Sequence, residues 1–161
     1  MLVIGIDPGT AITGWGVVSG DGNDLELIAY GTVTTPAGTP LPQRLQVIYR
    51  ELTDIIARWQ PESSAIEELF FSKNAKTALA VGHGRGAAML ALANAGLPIA
   101  EYKPLEVKQA ITGYGGADKQ QIQQMVKLLL SLDDIPRPDD AADALAVAIC
   151  HLHSARLRML E

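Results

Sequence analysis

The stretch Leu2-Val-Ile-Gly-Ile-Asp7 is an apolar run that ends in a carboxylate, and Pro8-Gly9 turns the chain at once. A run this short cannot be a signal h-region; it reads as a buried strand with Asp7 at its mouth. Gly9 is expected to supply a positive φ to the turn. Thr13-Gly-Trp-Gly-Val-Val-Ser19 then reads as a second strand folding back, leaving the carboxylate accessible at the sheet edge. A turn cap would account for Asp7 equally well, so other carboxylates must decide.

Along the chain, Ser19-Gly-Asp-Gly-Asn-Asp24 is a concentrated turn signal, and Leu25 to Thr35 alternates as a third antiparallel strand. Pro36-Ala-Gly-Thr-Pro40 breaks the sheet. Leu41, Leu45, Ile48, Leu52, Ile55 and Trp59 then recur at three- and four-residue steps, which predicts an amphipathic helix to Gln60, stopped by Pro61. Ser64-Ala-Ile-Glu67 reads as a fourth, buried strand, so Asp7 and Glu67 occupy equivalent strand-end positions. Residues 75 to 95 are rich in Ala, Gly and Leu, and Gly82, Gly84 and Gly86 there invite a close helix-helix approach. Gly82-His-Gly-Arg-Gly86 has the wrong spacing for a dinucleotide fingerprint, and no strand precedes it. Leu97 to Tyr102 reads as a fifth strand. Lys103, Lys108 and Lys119 lie on the helices, and around the Gly113-Tyr-Gly-Gly116 loop, that follow. The fold class expected is α/β, a five-stranded mixed sheet flanked by helices.

Pro138-Asp-Asp140 is a helix-start signal, and Asp140 and Asp143 share one helical face. A cap at the helix N-terminus explains one of these aspartates. It does not explain Asp143, which interrupts an alanine run whose small side chains would let the helix lie tightly on a sheet. A charge there needs a partner or a metal.

No apolar run in the 161 residues approaches the ~20 needed to span a bilayer, so we expect one soluble domain over 1–161, without a membrane partner. The single Cys150 cannot form an internal disulfide and sits in an Ala-rich helical pattern, which fits a buried thiol in the cytoplasm. The net charge of -5 is unevenly placed: residues 73–127 carry seven basic and three acidic groups between two acidic flanks. That suits a phosphate-facing surface beside a carboxylate cluster.

Asp7, Glu67, Asp140 and Asp143 would repel one another if gathered at one sheet edge, unless cations neutralise them. Oxygen-only ligation selects a hard cation such as Mg²⁺ or Mn²⁺, whereas zinc calls for His or Cys ligands at spacings this chain does not offer. Two such ions roughly 3.5–4 Å apart can activate a water and clamp a phosphodiester for in-line displacement. Hydrolysis of a nucleic-acid backbone is the natural use.

Gly5-Ile-Asp-Pro-Gly-Thr10, Ala65-Ile-Glu-Glu-Leu-Phe-Phe71, Val107-Lys-Gln109 and Asp140-Ala-Ala-Asp-Ala-Leu-Ala146 resemble the RuvC family of Holliday junction resolvases nearly end to end. The resemblance implies a ribonuclease-H-like fold, a homodimer, and paired symmetric nicks across a four-way DNA junction with Mg²⁺ or Mn²⁺, two ions per active site. It also implies work beside a branch-migration helicase complex of the RuvA and RuvB type. Asp7, Glu67, Asp140 and Asp143 match the family's catalytic acids, Lys108 and Lys119 its assisting bases, and Phe70 its junction-facing aromatic. Phe71, Lys73, Lys76 and Arg85 join Phe70, Lys108 and Lys119 as candidate DNA contacts. The glycine-rich helix resembles the family's dimer interface, with His83 and Gly84 where Gln and Ala would be expected. Two other classes compete. An actin-like or sugar-kinase ATPase shares the Asp-x-Gly-Thr type of loop but calls for a second phosphate loop, which does not follow. A junction-binding module without cleavage would lack a carboxylate; all four are present.

Overall fold

The computed structural model describes residues 1–21, 23–68 and 74–160. The elements follow in the order β1 (Leu2–Asp7), β2 (Ile12–Gly20), β3 (Leu25–Thr34), α1 (Leu41–Trp59), β4 (Ser63–Glu67), α2 (Ala75–Asn94), β5 (Ile99–Tyr102), α3 (Pro104–Thr112), α4 (Lys119–Leu129) and α5 (Asp139–Met159). The strands form one sheet in the order β3-β2-β1-β4-β5. The first three are an antiparallel meander, while β4 runs parallel to β1 and β5 parallel to β4. The five-stranded mixed sheet flanked by helices is therefore the architecture found.

Period-2 alternation splits the apolar residues of the sheet between two cores. Ile4, Ile6, Val17, Val33 and Ile66 pack against Ile48, Leu52 and Ile56 of α1 and Ala88, Ala91 and Leu92 of α2. Val3, Val18 and Ala65 face the other way, onto Val107 and Ile111 of α3, Ile122 and Val126 of α4, and the long apolar stretch of α5. Two helices thus cover one face and three the other. Among the described residues no helix is long and apolar enough to cross a membrane.

Element ends differ from the sequence reading for local reasons. Gln60 adopts the left-handed conformation with φ 48°, so α1 ends at Trp59, just before the proline. The fifth strand starts at Ile99 because the Leu97 N–H is spent on the Leu92 carbonyl at the end of α2, and Pro98 has no N–H to give. Helix α2 does pack on α1, with Ala88 and Ala91 in their shared core, while Gly84 meets the loop after β1 and glycines of the sheet make a further close approach to α5. A Cβ on Gly5 would overlap the Ala144 carbonyl oxygen and lie 2.7 Å from the Ala148 nitrogen. The backbone of α5 therefore rests directly on the sheet. Gly5→Ala should force the helix outward and destabilise the protein by about 1–3 kcal/mol, the usual cost of overpacking. Urea unfolding measures it; wild-type stability in the variant would show that α5 does not need this contact.

Candidate active site

Alternation also fixes which way the strand-end acids point. Val3, Gly5 and Asp7 share one face of β1, and Ser63, Ala65 and Glu67 the same face of β4. In the parallel register Ile6 stands opposite Ile66, so Asp7 and Glu67 follow side by side, one residue further along. Helix α5 crosses this face antiparallel to both strands. Its foot lies on Gly14, the residue paired with Asp7 on β2, where a Cβ would overlap the Asp140 carbonyl oxygen. The helix start carrying Asp140 and Asp143 is thereby set down beside Asp7. At the other end of the helix, His151 is buried between the Ser63 hydroxyl at 2.9 Å and the Tyr102 hydroxyl at 2.7 Å.

Two lysines approach from the remaining side. Lys119 is the first residue of α4, placed there by a capping box in which the Asp118 carboxylate accepts from the Gln121 N–H at 2.8 Å. Its ammonium lies 3.2 Å from Asp139 and 3.6 Å from Asp143. Asp143, a charge that needed a partner, has one. Lys108, on α3, joins Glu67, Lys119 and Asp143 in lining a cleft of about 240 Å³. Asp140 faces a wider depression of about 580 Å³ shared with Lys76 and Arg44.

Electrostatics show the acids acting on one another. Burial first, then the charges of Asp143, Glu67 and Asp140, push the Asp7 carboxyl up to about 8. Burial and Asp143 raise Glu67 despite the opposing charge of Lys108. Burial raises Asp143 as well, with Lys119 opposing and Asp140 and Asp139 adding to it. For Lys119, desolvation disfavours the charge, but Asp143 and Asp139 outweigh it and hold the group above its ordinary value.

The donor set fits a hard divalent ion. Every candidate ligand atom is a carboxylate oxygen, and, after burial, the acids' own charges help to raise Asp7, Glu67 and Asp143, with the two lysines opposing. The acids do not, however, form a finished cage: among the described residues no three His, Cys, Asp or Glu side chains are grouped to hold a metal ion. Lys119 stands beside Asp143, within ion-pair distance of one of its oxygens.

Other expected residues fall differently. Gly9 does not have a positive φ; it is required because a Cβ there would overlap the Ile12 carbonyl oxygen. Arg85, expected to face phosphates, is turned inward and is only 14% exposed, paired with Glu101 on β5. Lys76 is exposed. Phe70, Phe71 and Lys73 lie outside the described residues. Cys150 is buried, and burial pushes its thiol up to about 11. Asp139, like Asp140 a candidate cap in the sequence, does not cap α5: the N-cap is Pro138, with no side-chain cap hydrogen bond, and the i, i+4 spacing of Asp139 to Asp143 places both on the face that Lys119 meets.

A carboxyl raised on folding binds more protons in the native than in the unfolded state between its unfolded and folded pKa values. Stability there falls as pH rises, in this case from about 4 toward about 8 for Asp7. In EDTA the melting temperature should accordingly drop between pH 5 and pH 8, and Asp143→Asn should raise it at neutral pH by removing one repelling charge. The same variant should gain less on addition of Mg²⁺ or Mn²⁺. Thermal melts at both pH values, with and without metal, check this; a variant melting lower than wild type in EDTA would make Asp143 a simple partner of Lys119.

Residues 3–151 match the model of the family described as crossover junction endodeoxyribonuclease RuvC. Proteins of that name from Chloroflexus aggregans and Desulforamulus reducens are 61% identical over 155 residues and 63% over 151, covering 96% and 94% of this chain and 94% and 93% of theirs. The structure of Thermus thermophilus RuvC in complex with Holliday junction substrate superposes with a TM-score of 0.94 at 38% identity, over 98% of this chain and 96% of that one. The yeast mitochondrial Holliday junction resolvase, at 13% identity and a TM-score of 0.70 over 98% of this chain and 80% of its own, shares the ribonuclease-H-like fold. With a matching family model over most of its length and relatives this similar, the chain belongs to the RuvC family of crossover junction endodeoxyribonucleases.

Proposed function

We propose that this chain resolves four-way DNA junctions by hydrolysing one phosphodiester in each of two opposed strands. The observation that carries the reading is Asp7, half-buried at a strand end and raised by desolvation and then by three further acids, beside a cleft that holds two lysines. Asp7, Glu67, Asp140 and Asp143 are the residues that would hold the divalent ions, Mg²⁺ or Mn²⁺, two per site. When bound, such ions activate a water and neutralise the leaving oxygen. The protein's part is to hold the acids on a sheet and helix whose spacing cannot drift. Lys119, held near Asp139 and Asp143, is a point charge that can turn to a phosphate oxygen. Lys108, across the same cleft, gives a second point charge for the scissile group. Water oxygen joins phosphorus and gives up a proton, one P–O ester bond breaks, and the departing alkoxide takes up a proton, so that water is divided between the two products.

Two symmetric nicks require two sites, and α2 offers a face for a second copy. Leu79 and Leu90 are 62% and 54% exposed, with Gly86 between them at steps of seven and four residues, on one stripe of the helix. A homodimer across that face, with Phe70 reaching the bases at the crossover and Lys76 the backbone, agrees with the family resemblance. So does work in the cytoplasm beside a helicase complex of the RuvA and RuvB type.

A synthetic four-way junction incubated with Mg²⁺, with Mn²⁺ and with EDTA tests the proposal when both product strands are resolved. Binding should persist in EDTA and weaken steeply with salt, while cutting should need metal. Cleavage that survives EDTA would overturn the metal assignment. Lys108→Ala and Lys119→Ala should each slow cleavage by about 10²-fold, the scale of losing one charge-stabilising donor, with little loss of affinity. Equal losses in rate and affinity would make these lysines ordinary backbone contacts.

A further inference from the structure

Arg85 is a cation whose placement does not suit a phosphate. Its Nε donates to the backbone carbonyl of Glu67 at 3.3 Å, one terminal nitrogen pairs with the Glu101 carboxylate on β5, and the other lies 3.0 Å from the Met89 sulfur. The carbonyl it meets belongs to the last residue of β4, where strand pairing is about to end. Glu101 stands one residue before the end of β5, and the Glu68 N–H closes the sheet there by donating to the Tyr102 carbonyl at 2.8 Å. The guanidinium therefore ties α2 to the ends of the two strands around Glu67.

The preceding residue of α2 seats on the other acid's loop. A Cβ on Gly84 would lie 2.7 Å from the Gly9 carbonyl and 2.9 Å from the Thr10 nitrogen, and the Thr10 hydroxyl donates to the Ala80 carbonyl. Consecutive residues of one helix thus register the loop after Asp7 and the strand end that carries Glu67. A point-charge lysine could not do the same, because the planar fork serves a carbonyl and a carboxylate at once.

We infer that Arg85 is a positioning residue for Glu67, holding the end of β4 in place relative to Asp7, and not a contact to DNA. The inference rests on the reading of Glu67 as a catalytic acid. A displacement of about 1 Å in such a group is enough to cost about 10²-fold in rate. Glu101 then belongs to the same device, which gives the two readings of Arg85 opposite consequences. If Arg85 met a phosphate, neutralising Glu101 would free the guanidinium and tighten junction binding. If Arg85 positions Glu67, neutralising Glu101 loosens the clamp and slows cutting without tightening anything.

The test measures Arg85→Gln, Arg85→Lys and Glu101→Gln for junction affinity and its salt slope in EDTA, for the rise in melting temperature on adding Mg²⁺, and for cleavage rate. Arg85→Gln should keep the affinity and slope, lose most of the metal-induced rise, and cut about 10–100-fold more slowly. Glu101→Gln should move the last two readouts the same way by less, and Arg85→Lys should recover part of the loss. A salt slope smaller by about one unit in Arg85→Gln, together with tighter binding in Glu101→Gln, would make Arg85 a phosphate contact and overturn the inference. So would an Arg85→Gln protein that melts lower yet shows the wild-type metal rise and rate, since its role would then be stability alone. Glu67→Gln separates the two levels. If it still cuts, the reading of Glu67 fails; if it is dead while Arg85→Gln cuts normally, only the inference about Arg85 fails.

Discussion

The backbone-to-backbone contact between α5 and the β1–β2 hairpin is the constraint on which the site depends. Helices ordinarily stand well off a sheet because side chains fill the gap. Here Gly5 and Gly14 leave room on the strands, and Ala144 and Ala148 on the helix add almost no bulk, so carbonyl oxygens of α5 occupy the space a Cβ would need. Asp140 and Asp143, with short side chains, are consequently carried to Asp7 and Glu67. A helix held further out would need longer acids, with more rotamer freedom to lose.

Gathering those acids works against stability. Burial and mutual repulsion raise Asp7, Glu67 and Asp143 together, so the native state carries a conflict that the cores on either side of the sheet must outweigh. Lys119 and Lys108 relieve part of it. The relief is of a reversible kind: an exposed ammonium shared between Asp139 and Asp143 is screened by water, whereas the largely covered Arg85 guanidinium is also fixed by the Glu67 carbonyl and the Met89 sulfur.

Helix α2 joins these layers from the opposite face of the sheet. Its inner side touches the Asp7 loop through Gly84 and the Glu67 strand end through Arg85, and its outer side presents Leu79, Gly86 and Leu90. The face proposed for a second copy and the contacts that seat the Asp7 loop and the Glu67 strand end therefore belong to one helix.

Local pattern was enough to determine much of this from the residues alone. The apolar run of Leu2–Asp7 and the short buried segment Ser64–Glu67 put two acids at strand ends, helical spacing put Asp140 and Asp143 on one face, and turn residues delimited the meander. These depend only on the period of a strand or helix, which each residue shares with its neighbours in the chain. Contacts between distant segments were decided by tertiary structure. Arg85 reads in sequence as a basic residue between glycines; it becomes an internal clamp only because β4 and β5 end beneath α2. Gly9 reads as a turn residue with positive φ, yet what excludes a side chain is the Ile12 carbonyl folded back over it. Asp143 reads as an unpartnered charge until α4 delivers Lys119. In each case the charge or the shape is local, but the atom that gives it meaning lies far away in the chain, and only the packed fold specifies that distance.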